Sequence, residues 1–301
     1  MKAFSLTLVA AVLAAAQAIL VGPAVAAEPS TTHSTAPPLM VIVMDPLALP
    51  LSCPCVKGYA QRDYDQLGKY LEGRLHFPVR VVFSETVREA LDKKTGGRAD
   101  LVIGKDSVVR RQTKRAGIGV AHVAALTGLD GKTTQTGLWV VPAKDPAISI
   151  SDIKGYRIIL GSEDCDEKNL AAQNLMVDMG LPKIKKPETC SACSDGATRI
   201  LALFKEGTKS ATVISSYAKP LLEGCGTIKK GDLRVIGETE SVPFVAAFVN
   251  NKLPPSTREA IQTALLDVAH HPRLCKSLET KLGFVMPDQS NASAHVAAKK
   301  N

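Results

Sequence analysis

The chain has 301 residues and a formal net charge of +8, with 45% hydrophobic and 22% charged residues. That balance excludes a wholly disordered, collagenous or coiled-coil chain, and the length suits one large domain or two of about 130 residues, each able to bury a core. Aromatic residues make up only 4%, with a single Trp, too few stacking platforms for single-stranded nucleic acid, so no nucleic-acid partner is expected. The basic excess favours an anionic ligand.

The N-terminus reads as an export signal. Met1-Lys2 supplies a positive start, Ala3 to Val21 is apolar and small, and Ala24-Val25-Ala26 and Val25-Ala26-Ala27 are small-x-small cleavage sites. Residues 1–27 are therefore expected to be a cleaved signal peptide directing the protein to the periplasm. An uncleaved anchor is the competing reading. Later segments lack a long apolar run, so the mature protein is expected not to be embedded in a membrane. Residues 28–38 read as a disordered leader and 288–301 as a disordered tail, both polar and without periodicity.

Between these ends strands and helices alternate. Leu39 to Met44 is a continuous apolar run, as a buried parallel strand requires. A loop with Cys53 and Cys55 follows, then a helix from about Asp63 to His76 with Tyr64, Leu67 and Leu71 on one face. The pattern continues with a strand at Val79–Phe83, a helix capped by Ser84, a strand at Asp100–Gly104, and a basic helix opened by Asp106-Ser107. Lys105, Arg110, Arg111, Lys114 and Arg115 read there as a solvated face. Strands at Gly119–Leu126 and Thr136–Pro142 come next.

A second unit runs through a strand at Tyr156–Leu160, a loop with Cys165, a helix at Leu170–Met179, a loop with Cys190 and Cys193, and a helix at Thr198–Lys205. A strand at Ala211–Ile214 is expected to open a helix at Ser215. Strands at Leu233–Gly237 and Phe244–Asn250 lead to two helices, one capped by Ser256 and Glu259 and one over Pro272–Leu282. The alternation implies an α/β fold with parallel sheets.

Several stretches together carry a resemblance: Leu67-Gly68-Lys69-Tyr70-Leu71-Glu72 before Pro78-Val79, Ala99 to Gly104 before a helix start, Leu138 to Val141 with Ser151-Asp152-Ile153-Lys154-Gly155, and Leu233 to Gly237 with Pro243 and Leu253-Pro254-Pro255. In order and spacing the chain resembles the phosphonate-type periplasmic solute-binding proteins of ABC importers. The resemblance implies the two-lobed type II periplasmic binding protein fold: two mixed sheets flanked by helices and joined by two crossing strands. Lobe I would comprise 39–137 with 239–287, and lobe II 138–238. It also implies a small-molecule or ion ligand in the interlobe cleft, an ABC permease as partner, a monomer, no enzymatic activity and no required cofactor.

On that frame the expected ligand-binding residues are Cys53, Cys55, Asp106, Ser107, Ser162, Cys165, Ser194, Asp195, Ser215, Tyr217 and Thr239. Asp106, Ser107 and Ser215 are equally readable as helix caps. Five of the seven cysteines fall in loops expected to line the cleft. Three readings of them stay open: structural disulfides, which suit an oxidising compartment; a thiolate site for Cu or Zn built from Cys53, Cys55, Cys165, Cys190 and Cys193; and thiol–disulfide exchange by Cys190 and Cys193. The acidic run Glu163-Asp164-Cys165-Asp166 is expected to repel a dianion. Neither G-x-S-x-G, H-E-x-x-H nor a P-loop occurs. The expected function is capture of a phosphate- or phosphonate-like oxyanion, or a soft metal species, for an ABC importer. The alternative is a periplasmic metal-handling or thiol-redox accessory protein.

Overall fold

The computed structural model describes residues 37–52 and 61–287. The expected signal peptide, most of the leader, Cys53, Cys55 and the tail lie outside the described residues.

Three apolar runs become strands buried along their whole length: β1 (Leu39–Met44), β3 (Leu101–Lys105) and, later in the chain, β9 (Ser210–Ser215). Helix α1 (Tyr64–Leu75) starts at Asp63, whose carboxylate accepts the N–H groups of Asp65 and Gln66. It leads to β2 (Val79–Phe83). Helix α2 (Val87–Glu89), continued by a π-helical turn over Ala90–Lys94, is capped by Thr86 and not by Ser84. The Ser84 hydroxyl donates to the Thr86 carbonyl at 3.0 Å. Helix α3 (Asp106–Arg115) follows β3 without a break.

Strands β4 (Val120–Leu126), β12 (Val245–Asn250) and β13 (Phe284–Val285) complete a six-stranded sheet of order β13-β4-β12-β3-β1-β2. Here β1 runs parallel to β2 and β3, whereas β12 is antiparallel to β3 and β4. Leu39, Val41 and Val43 face α1 and α7 (Pro255–Asp267); Met40, Ile42 and Met44 pack with Val87, Val109 and Phe248 on the other face. This is the alternation expected of a strand buried on both sides.

The second sheet has five strands in the order β10-β6-β9-β7-β8: β6 (Gly137–Pro142), β7 (Arg157–Gly161), β8 (Glu188–Cys190), β9 and β10 (Leu233–Glu238). Strand β7 is parallel to β8 and β9, and β6 is antiparallel to β9 and β10. Trp139, Val141 and Val213 pack with Met176 of α4 (Leu170–Asp178) on one face. On the other, Ile159 and Ile214 pack with Ile200 of α5 (Cys193–Lys205) and Leu222 of α6 (Ala218–Gly224).

Two short segments connect the sheets, and they pair as an antiparallel ribbon of β5 (Thr134–Gln135) and β11 (Val242–Pro243). Each strand that follows a crossing, β6 or β12, enters its sheet antiparallel to its neighbours, so both sheets are mixed and not parallel. At the crossing Gly137 N–H donates to Thr239 Oγ1 at 2.8 Å, and Thr239 N–H donates to the Gly137 carbonyl at 2.9 Å.

Other expectations needed correction. Helix α5 begins at Cys193, five residues before Thr198, because the Asp195 carboxylate accepts the Ala192 N–H at 3.2 Å and sets the first turn. Ser215 ends β9 and does not open a helix. Helix α7 begins with Pro255 at its first position, and Ser256 makes no cap. The last helix, α8 (Pro272–Ser277), is shorter than expected, and the chain then forms β13.

Candidate functional site

The carboxyl ends of β3 in one sheet and of β7, β8 and β9 in the other converge, the crevice geometry where open α/β sheets bind ligands. Lys105, the last residue of β3, ion-pairs with Glu167, which lies on a 3-10 turn over Asp166–Lys168 after β7. Ser215, the last residue of β9, donates to the same Glu167 oxygen at 2.8 Å. Only 8% of the Lys105 side chain and 1% of that of Glu167 are exposed. Burial alone pulls the Lys105 ammonium down, but the Glu167 carboxylate outweighs it and holds the lysine well above its ordinary range. Burial likewise pushes Glu167 up, and Lys105 outweighs that, leaving the carboxyl below its usual range.

The lysine also lies over the Tyr217 ring, 5.7 Å from its centroid. Tyr217 stacks on Phe244 at 5.2 Å, and Arg62 lies over Phe244 at 5.5 Å. Burial raises the Tyr217 hydroxyl to about 12. Arg62 is itself buried in an ion pair with Asp45 at 2.8 Å. A column of rings and cations thus runs from the end of β1 to the second sheet.

Helix α3 meets the loop between β7 and α4 along its length. The Ser107 hydroxyl donates to the Asp164 carbonyl at 2.6 Å and accepts the Asp166 N–H at 3.2 Å. Arg111 pairs with Asp166 at 2.5 Å, and Arg115 pairs with Asp164. Arg110 pairs within the helix with Asp106 at 2.7 Å. Arg110, Lys114 and Arg115 are exposed, as a solvated face requires, but Arg111 and Arg115 also reach across to pair with the acidic loop, and Lys105 is buried. By the same contacts the carboxylates of Asp164 and Asp166 are not free to repel an anion.

Among the described residues five cysteines are present, and all are free thiols, so neither a Cys190–Cys193 nor a Cys225–Cys275 disulfide forms. Cys190 Sγ donates to the Leu160 carbonyl at 3.4 Å, and burial raises the thiols of Cys190 and Cys165. Cys193 Sγ accepts the Ser215 N–H at 3.4 Å. Among the described residues no three His, Cys, Asp or Glu side chains are grouped to hold a metal ion, so Cys165, Cys190 and Cys193 do not form the expected Cu or Zn site.

Lys168 is the residue the sequence reading passed over most completely. It is 3% exposed. Its stem lies flat along Gly161, where a Cβ would collide with it. Its ammonium reaches the Ser191 carbonyl at 3.5 Å and forms no ion pair with a described carboxylate. Burial pulls the Lys168 ammonium down, but nearby negative charge, that of Glu167 included, outweighs burial and leaves the lysine above its ordinary range.

Of the expected ligand residues, Ser215 and Tyr217 join Lys105 at the centre; Cys193, expected only as a metal or redox thiol, touches Ser215. Cys165 shares the buried turn with Glu167 and Lys168. Ser107 is spent on the Asp164 loop. Asp106 faces Arg110 and His122. Ser162 accepts the Asp164 N–H at 3.3 Å, and Thr239 belongs to the crossing. Ser194 and Asp195 form the first turn of α5, with the Asp195 carboxylate accepting from Ser191 at 2.9 Å.

The family of ABC transporter, phosphonate, periplasmic substrate-binding proteins matches residues 58–292. The chain belongs to this family. Its members bind substrate for a transporter and are not enzymes, and they act in the periplasm. Structural neighbours share the two-lobed fold of this phosphonate-binding family. A binding protein component of an ABC phosphonate transporter from Pseudomonas aeruginosa superposes with a TM-score of 0.63 at 12% identity, over 86% of this chain and 84% of that one. PhnD1 from Prochlorococcus marinus, in complex with methylphosphonate, gives 0.62 at 14% identity, over 86% and 96%. A Xanthomonas citri protein bound to ATP gives 0.63 at 14% identity, over 86% and 95%. Among curated protein sequences, none matches this chain. No helix among the described residues is long and apolar enough to cross a membrane.

Proposed function

We propose that the chain is exported through cleavage of residues 1–27 and captures a small oxyanion for an ABC importer. The ligand is held between lobe I (39–137 with 239–287) and lobe II (138–238), which close about the β5–β11 crossing. The observation that carries this reading is the meeting of Lys105, Ser215, Tyr217 and Lys168 where the strands of both sheets end. Cations and hydroxyl donors converging in a buried crevice suit a tetrahedral anion. The contacts from α3 to the Asp164 loop support this reading, being of the kind closure would make, and the Glu167 carboxylate takes donors an anion would use.

Isothermal titration of purified protein with phosphate, phosphite and methylphosphonate tests the reading. A saturable signal with at least one of them, lost when Lys105 and Ser215 are both replaced by Ala, is expected. Silence with every oxyanion, with the fold intact, rejects it. The protein secreted into the periplasm is expected to begin at Glu28, which N-terminal sequencing reads directly.

A further inference from the structure

Lys168 and Lys105 are two buried ammonium groups that share one buried carboxylate, that of Glu167. The remaining cations of the seam are matched: Arg110 with Asp106, Arg111 with Asp166 and Arg115 with Asp164. Among the described buried groups the cluster is therefore left with one surplus positive charge, on Lys168; Asp195, in the first turn of α5, is exposed to solvent and accepts from Ser191 and Ala192. A buried charge without a counter-charge is costly, so something of opposite sign is required there.

The placement of this lysine is built into the chain. Gly161 ends β7 without a side chain, and only that lets the Lys168 stem lie along the strand. The ammonium is thereby aimed at the Ser191 carbonyl, in the turn that opens α5. Helix α5 has 13 residues, and its first N–H groups point out of the same turn. Cys193, the first residue of α5, presents its thiol beside the Ser215 hydroxyl.

We propose that Lys168 is the charge-selecting residue of the cleft, and that with the N-terminus of α5 it binds a singly charged anion in preference to a doubly charged one. The proposal rests on reading the cleft as an oxyanion site. A monoanion brings the buried cluster to neutrality, and a dianion overshoots it. Tetrahedral monoanions with one apolar substituent, such as alkylsulfonates and singly ionised phosphonates, are the class that fits.

The test uses two probes of similar size and fixed charge at one pH and ionic strength: methanesulfonate, always a monoanion, and sulfate, a dianion. Methylphosphonate serves as the check on the site. Titrations are made on wild-type protein, Lys168→Gln and Lys168→Arg, with thermal unfolding to verify each fold. The expected result is methanesulfonate binding roughly tenfold or more tighter than sulfate. Lys168→Gln should abolish that preference and weaken methanesulfonate by roughly tenfold, and Lys168→Arg should keep both. If Lys168→Gln does not fold, Lys168→Arg and Gly161→Ala, which displaces the stem, carry the comparison. Equal or tighter sulfate binding in the wild type, or unaltered binding in Lys168→Gln, overturns the charge assignment while leaving the anion site standing. Absorbance near 240 nm that is present in ligand-free protein and missing in Cys193→Ser would show a Cys193 thiolate as the counter-charge, and would overturn it too. If none of the three anions binds, the oxyanion reading itself fails, and this inference with it.

Discussion

Glu167 is paired with Lys105 across the seam between the two sheets, at the end of β3 on one side and in the turn after β7 on the other. The two residues are 62 positions apart, and both side chains are almost wholly buried. The pair is thus a tie between halves of the molecule that share only two chain connections.

Removing one partner strands the other in a buried site. Lys105→Met or Glu167→Gln should each destabilise the protein by about 3–5 kcal/mol, and Lys105→Met with Glu167→Leu together by less than the sum. Urea unfolding of the three variants measures this. Additive losses would show that the two groups do not depend on one another.

The same pair sets a pH window. The Glu167 carboxyl is depressed in the folded state, so its contribution is complete above the unfolded value near 4.3 and fades as pH falls through the lower folded one. Lys105 is raised, so its contribution is complete below about 10.4 and fades as pH rises through the higher folded value. Urea midpoints should therefore be flat from roughly pH 5 to pH 10 as far as this pair is concerned, and fall on the acid side. In Lys105→Met with Glu167→Leu the acid-side fall should be shallower. An unchanged profile would remove Glu167 from the acid limb.

Thiol reactivity should separate by burial. Cys165, Cys190 and Cys275 are buried, and burial raises each thiol, so little thiolate is present near neutrality. Cys193 and Cys225 are partly exposed. Iodoacetamide mapping by mass spectrometry should find Cys193 or Cys225 alkylated ahead of the buried three. First labelling at Cys165 would contradict the closed seam.

Gly137 begins β6, and a Cβ there would run into the Glu167 carbonyl. Gly137→Ala should cost about 1–3 kcal/mol, because the 3-10 turn over Asp166–Lys168 must shift. Anion affinity should drop with it, since Glu167 and Lys168 ride on that turn. Calorimetry of the variant reads both effects, and unaltered values would mean the turn gives way freely.

Where local pattern decides structure, the sequence was legible. Leu39–Met44 is apolar at every position and forms the strand it announces. Asp63 caps α1 through its own carboxylate. Gly180 follows α4 with φ +79°, a conformation that side chains disfavour. The site was less legible because its partners come from opposite sheets. Lys105 reads as one more cation of a basic helix until β3 is seen to end on it. Glu167-Lys168 is hidden in an acidic run, whose neighbours Asp164 and Asp166 are neutralised by Arg115 and Arg111 about fifty positions earlier. The start of α5 was misplaced for a smaller reason. Asp195 caps from inside the helix, at its third position, so no capping residue stands before Cys193.

Strands β1 and β13 lie in one sheet, while all five strands of the other fall between β5 and β11. The second body is therefore an insertion held by a double tether. A protease that nicks a single tether leaves both bodies joined through the remaining one. Only cuts in both, near 134–136 and 239–243, would release a fragment that migrates separately on a native gel.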